Sequence, residues 1–213
     1  MENPSEKWKA RAVLVVIANL ILGMGVALLR LAGFGTDPFT CMNLGVSSHL
    51  PIGYGTYQMI LNVALFIPVF ILDRKSFGVG ALVNMLALGY FVEMFMMVFA
   101  LVKVSPQGLE GNFALRAAIL ATGVLVVCFG IALYMVCDLG SAPYDRLGVI
   151  IENYTHHKVK FKWARVCLDL ISMGIGFATG SVVGVGTIII AFFTGPVVSF
   201  FRDTIVARIM RRL

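Results

Sequence analysis

The chain has 213 residues, 59% hydrophobic and 13% charged, with a formal net charge of +6. A soluble domain carries about 25% charged and about 45–50% apolar residues, and a globule of this size leaves too much surface in water to hide the surplus. The composition excludes a soluble enzyme, a disordered regulator and a secreted disulfide scaffold. It points to an all-α integral membrane protein, read as a single membrane domain over residues 1–213.

Six stretches are long and apolar enough for a hydrocarbon core of about 30 Å. They are Ala12–Leu29, Thr56–Leu72, Ser76–Val102, Ala117–Cys137, Trp163–Gly180 and Ser181–Phe201. None alternates apolar and polar residues as a barrel strand does. Lys7, Lys9 and Arg11 precede the first run as in a signal peptide. That run is too long for the apolar region of one, and no small-x-small site follows before Arg30, so it reads as an uncleaved span. Pro68 predicts a kink in the second span.

Lys and Arg set the orientation. With the N-terminus inside, only Arg30, Lys103 and Arg116 of the 17 basic residues fall outside. This bias predicts six spans with both termini cytoplasmic, the basic loops facing an anionic inner leaflet. It accounts for the positive charge without nucleic acid. The tail 202–213 places Arg208, Arg211 and Arg212 on one face and Ile205, Ile209 and Leu213 on another, the pattern of an interfacial helix.

The chain repeats itself. Gly25-Val-Ala-Leu-Leu29 returns as Gly130-Ile-Ala-Leu-Tyr134, and Gly35-Thr-Asp-Pro-Phe39 returns as Gly140-Ser-Ala-Pro-Tyr144, both 105 positions on. Gly78-Val-Gly80 returns as Gly184-Val-Gly186, and Gly89 as Gly195, 106 positions on. Repeat 1 covers about residues 12–102 and repeat 2 about 117–201. Three spans per repeat force the second copy to enter from the opposite side, giving two inverted three-helix repeats. After each Gly-x-x-Pro element comes a run too short to span, Pro38–His49 and Pro143–Tyr154. Asp37 suits a cap, Pro38 and Pro143 suit first helical positions, Asp145 lies in a first turn, and Gly35 and Gly140 permit sharp bends. Each run reads as a short broken or re-entrant helix, the alternative being a helix on the membrane surface.

The Gly-Phe-Gly-Thr-Asp-Pro-Phe and Leu-Gly-Ser-Ala-Pro-Tyr-Asp runs and the downstream Gly-Val-Gly segments resemble the YczE/YitT-type bacterial membrane proteins across most of the chain. Tyr144 stands where that family's second motif usually has Trp. The glycine-rich stretch after the first motif is present as Ile52-Gly-Tyr-Gly55, and Lys158-Val-Lys-Phe-Lys162 replaces its counterpart. The resemblance implies a bacterial plasma-membrane protein of poorly defined function.

Broken helices at a repeat interface are where many transporters hold substrate. The expected reading is a small secondary transporter for a small polar or amphipathic solute. Its binding residues would be Gly35, Asp37, Pro38, Gly140, Ser141, Pro143, Tyr144 and Asp145. Helix N-termini favour an anion, whereas Asp37 and Asp145 favour a cation or zwitterion, so the sign of the solute stays open. Glu93 and Asp169 lie inside spans, where a charge costs about 2.5–3.5 kcal/mol. Both are candidates to carry a coupling proton, though Arg165 stands at i, i+4 spacing to pair with Asp169. Asn19, Asn62 and Asn84 read as interhelical contacts or solute ligands. Gly174, Gly176, Gly180 and Gly184 suit close packing within the chain or a homodimer.

No nucleotide-binding, zinc-protease or serine-hydrolase motif is present, so no enzyme is expected. Cys41, Cys128, Cys137 and Cys167 have no C-x-x-C spacing, and His156-His157 has no nearby Cys or partner His, so neither metal nor cofactor is expected. The rival function is a non-transporting adaptor that holds a partner complex at the cytoplasmic surface through the basic loop and tail.

Overall fold

The computed structural model describes residues 4–73, 78–109, 111–137, 139–140, 142–181 and 183–206, and within these the side chains of all but 4–7 and 205. Among the described residues there is no β-strand. The helices in chain order are α1 Pro4–Ala32, α2 Pro38–Ser47, α3 Tyr54–Leu72, α4 Val79–Leu101, α5 Phe113–Val136, α6 Pro143–Tyr154, α7 Phe161–Ala178 and α8 Val185–Phe201. Gln107–Leu109 forms one 3₁₀ turn, and Arg202–Val206 continues α8 as a π-helical turn.

Among the described residues five helices are long and apolar enough to cross a bilayer: Trp8–Ala32, Tyr54–Leu72, Val79–Leu101, Phe113–Val136 and Val185–Thr204. The expected span Trp163–Gly180 corresponds to α7, which is long enough but carries Lys162, Arg165 and Asp169, and so stands apart from these five. α1 begins before its apolar run, because Glu6, Lys7 and Ala10 are good helix formers and nothing breaks the helix there. α5 starts four residues before the expected Ala117. Asn112 caps it, its side-chain oxygen accepting from the Leu115 amide at 3.0 Å. The chain stays helical through Pro68 and also through Pro196. The expected interfacial helix of the tail lies mostly outside the described residues.

The outward surface is apolar. Ile71 of α3 is 70% exposed, and Met97 and Leu101 of α4 are 68% and 82% exposed. Water would penalise such a surface, and lipid would not. The chain is therefore a multi-pass helical membrane protein.

α1 and α5 form the centre. They cross where Gly25 meets Val127 and Gly130 meets Leu22. A Cβ on Gly25 would lie 2.8 Å from the Val127 nitrogen, and one on Gly130 would lie 3.0 Å from the Leu22 nitrogen. Leu22 and Val127 are themselves 105 positions apart, so the crossing is reciprocal. Buried Ala18, Val26, Ala27, Ile131, Ala132 and Tyr134 fill the seam.

The glycine turns dock in the same reciprocal way. The chain leaves α1 with Gly33 at φ +67° and Gly35 at φ +101°, and approaches α6 with Gly140 at φ +89°. In this left-handed region glycine escapes the Cβ penalty. The Phe34 carbonyl accepts from the Gly186 amide at 2.9 Å, and the Leu139 carbonyl accepts from the Gly80 amide at 2.7 Å. A Cβ on Gly184 would overlap the Phe34 carbonyl, and one on Gly78 would overlap the Leu139 carbonyl. Of the glycines expected to pack closely, Gly176 meets Cys41 and Gly184 meets Phe34, but nothing lies within 4 Å of a Cβ at Gly174 or Gly180. Gly180 instead ends α7 with φ +76°.

Overpacking predicts that Gly184→Ala and Gly78→Ala each destabilise the protein by about 1–3 kcal/mol. Gly174→Ala, inside α7 with open space at the Cβ position, should instead stabilise it by about 0.5–1 kcal/mol. Thermal unfolding in a fixed detergent checks the contrast.

Candidate functional site

The turns set where α2 and α6 begin, and the two short helices start against each other. Pro38 and Pro143 occupy first positions, where the missing amide costs no helical hydrogen bond. One residue on, the rings of Phe39 and Tyr144 stack with centroids 4.4 Å apart. Asp37 caps α2, its Oδ1 accepting from the Thr40 amide at 3.0 Å, and Asp145 lies in the first turn of α6.

A cavity of about 60 Å³ lies at this meeting point. That is room for about four waters. Its apolar walls include Leu22, Val26, Val127 and Ile131 from the α1–α5 seam. Its polar lining comes from both halves: Asp37 and Thr40, Gln58 and Asn62 of α3, Asn84 of α4, Tyr144 and Asp145, Arg165 and Asp169 of α7, and Thr194 of α8.

Arg165 organises the charge. It is buried and ion-pairs with Asp145 across to α6. Its Nε donates to Asp169 Oδ2 at 3.3 Å along α7, the i, i+4 pair expected from spacing. Its guanidinium lies 4.7 Å from the Tyr144 ring centroid. The Tyr144 hydroxyl donates to Asp169 Oδ1 at 2.7 Å, with Ser172 Oγ 3.2 Å away. A buried arginine shared by two carboxylates is tolerable because each charge has a partner and further hydrogen bonds.

Other polar atoms are less fully satisfied. Asn84 donates to Asn19 Oδ1 at 2.7 Å, and Asn19 donates to the Val15 carbonyl at 2.9 Å, so this pair is an interhelical clasp with Asn84 at the cavity edge. Asp37 Oδ2 and Gln58 Oε1 are buried with no hydrogen-bond partner among the described residues.

Several expected site residues lie elsewhere. Gly35 lines a separate, wider pocket of about 440 Å³ together with Arg30, Thr36, Ser48 and Ser181. Gly140 and Pro143 shape the second turn without lining the central cavity, and Ser141 lies outside the described residues. Glu93 corrects an expectation: it is exposed and faces a shallow pocket with Arg30 and Tyr54 rather than the cavity. It is nine residues beyond Asn84, which at about 100° per residue puts it on the opposite face of α4.

Gln58, Thr40 and Thr194 were not legible as site residues, and Arg165 was legible only as a partner. A signal existed. Gln58–Asn62 and Arg165–Asp169 are both i, i+4 polar pairs, 107 positions apart, as are the starts of α3 and α7.

Two contacts close the short helices against the long ones. Arg146 of α6 donates to Asp73 at the end of α3, Nε to Oδ2 at 2.9 Å. Cys41 of α2 meets Ser181 beyond α7, Sγ to Oγ at 3.3 Å. Cys41 and Arg146 are again 105 positions apart. His156 and His157 form the turn after α6 with φ +50° and +61°, and His157 reaches Glu152 at 3.4 Å. Among the described residues no three His, Cys, Asp or Glu side chains gather into a metal-binding group.

Arg165→Leu leaves Asp145 and Asp169 buried without their counter-charge. It should destabilise the protein by about 3–5 kcal/mol, whereas Tyr144→Phe should cost about 1–3 kcal/mol. Denaturation in detergent at fixed pH gives both values.

The chain is similar to proteins of bacteria. An "Uncharacterized protein" of Haemophilus influenzae (strain ATCC 51907 / DSM 11121 / KW20 / Rd) is 30% identical over 196 residues, covering 92% of this chain and 84% of the relative. "Uncharacterized membrane protein YczE" of Bacillus subtilis (strain 168) is 24% identical over 182 residues, covering 85% and 80%. "Uncharacterized protein YyaS" of the same organism is 24% identical over 189 residues, covering 89% and 90%. No solved structure matches. The model of a family of unknown function, DUF6198, matches residues 9–203, and the chain belongs to that family.

Proposed function

We propose that the protein is a small secondary transporter of the bacterial plasma membrane, built from two inverted three-helix repeats, which holds a small polar solute in the cavity between Asp37 and Asp145. The observation that carries the reading is the meeting of two broken-helix starts at one apolar-walled cavity with polar side chains set into it, lined in equivalent positions from both halves.

The repeat reading is supported by contacts that recur with the two halves exchanged. Phe34 with Gly186 mirrors Leu139 with Gly80, Gly25 with Val127 mirrors Gly130 with Leu22, and Gln58–Asn62 mirrors Arg165–Asp169. In this account α7 is the sixth span. Arg165 and Asp169 are turned inward and ion-paired, and Lys162 stands in its first turn, where a charge can reach the interface. Both termini are cytoplasmic, as the basic loops favour.

Alternating access needs a closure on each side. Arg146–Asp73 serves at the cytoplasmic end, and the Cys41–Ser181 contact beside the wider pocket serves at the outer end. Asp169 carries the coupling proton.

Purified protein in proteoliposomes should exchange at least one solute from a panel of small amines, amino acids, sugars and organic acids. Arg146→Ala should lower exchange about tenfold, and the swap Asp73→Arg with Arg146→Asp should restore part of it. Asp169→Asn should keep exchange but lose accumulation driven by a pH gradient. A panel showing neither uptake nor counterflow contradicts the proposal.

A further inference from the structure

The charge and hydrogen-bonding state of the cavity specify what it lacks. Its lining holds three carboxylates, Asp37, Asp145 and Asp169, and one guanidinium, Arg165. The N-terminal ends of α2 and α6 add about half a positive charge each. With all carboxylates ionised, about one negative charge stays uncompensated.

Hydrogen bonding points the same way. Four donors on the lining are committed within the protein: the Tyr144 hydroxyl to Asp169, Arg165 Nε to Asp169 and Nη1 to Asp145, and Asn84 Nδ2 to Asn19. The lining atoms that are buried without a partner are acceptors, Asp37 Oδ2 and Gln58 Oε1. Gln58 is 4% exposed. A buried acceptor without a donor is unfavourable, so it is a place where a ligand's N–H gains most.

From these two observations we infer that the central cavity binds a small monocation bearing N–H donors, an ammonium or primary amine, with Asp37 as its counter-charge and Gln58 as a second acceptor. An anion would meet surplus negative charge and the two idle acceptors. A solute without hydrogen-bond donors would leave both acceptors unpaired, and a neutral hydroxyl donor would leave the surplus charge in place. The space suits about four or five non-hydrogen atoms without movement of the chain. A proton on a lining carboxylate removes the surplus charge, so cation and proton compete.

The inference rests on the cavity being the solute site of the proposed transporter, and its test separates the two. Purified protein in nanodiscs is titrated with methylammonium, tetramethylammonium or acetate at matched ionic strength, and the thermal midpoint is followed. Methylammonium should raise the midpoint in a concentration-dependent way that shrinks as pH is lowered; tetramethylammonium and acetate should leave it unmoved. Asp37→Asn keeps a good helix cap and removes the charge, and should weaken methylammonium at least tenfold. Gln58→Leu should weaken it about tenfold, and it keeps the inference testable if Asp37→Asn fails to fold. A shift from acetate, no shift from methylammonium, or a methylammonium shift unchanged in both variants overturns the inference. Methylammonium binding with no solute exchange supports the inference and overturns the transport reading. Exchange of an anion without methylammonium binding does the reverse.

Discussion

A helix that breaks inside hydrocarbon exposes carbonyls with no water to satisfy them. In the proposed transporter the two Gly-x-x-Pro breaks would face that constraint. The Phe34 and Leu139 carbonyls, one in each glycine turn, accept from the Gly186 and Gly80 amides at the starts of α8 and α4. Those amides come close enough only because residues 78, 80, 184 and 186 carry no Cβ. Each turn thus satisfies part of its exposed backbone and is anchored to the first turn of a helix in the other half of the sequence. Once both turns are anchored, the starts of α2 and α6 have few places to go, and Phe39 and Tyr144 come to stack.

The cavity inherits its chemistry from that placement. Two helix starts bring positive ends together, and Asp37 and Asp145 offset them. The halves then diverge: where α3 offers neutral Gln58 and Asn62, α7 offers Arg165 and Asp169 at equivalent positions. Positions that match in the repeat reading therefore carry different charge, and the unpartnered acceptors Asp37 Oδ2 and Gln58 Oε1 lie on the α2–α3 side. The wider pocket beside Gly35 and Ser181 and the ion pair between Asp73 and Arg146 make the two ends of the molecule unlike as well.

Much of this was legible in the residues. Apolar run length placed the five strongest membrane helices, and Gly-x-x-Pro placed the two short helices, because proline and glycine act on the backbone locally. The repeat offset paired Phe39 with Tyr144, whose rings stack. What was not legible depended on facing. Glu93 looks like an intramembrane acid, but whether it lies inward turns on its angle from Asn84, and it falls on the far side. Gln58 drew no attention because a single glutamine in an apolar helix has no distinguishing spacing until α7 is laid beside α3. α7 looked like an ordinary span. Its charges set it apart by composition, and only tertiary placement shows Arg165 and Asp169 turned inward and paired with each other and with Asp145.

The central claim is that the two halves lie in opposite orientations across the bilayer. Its most direct test is labelling by a membrane-impermeant maleimide in right-side-out and inverted vesicles, with exposed Cys167 replaced by serine and single cysteines at His49 after α2 and Lys158 after α6. The account predicts that His49→Cys reacts only from outside and Lys158→Cys only from inside. Reaction of both from the same side would contradict it.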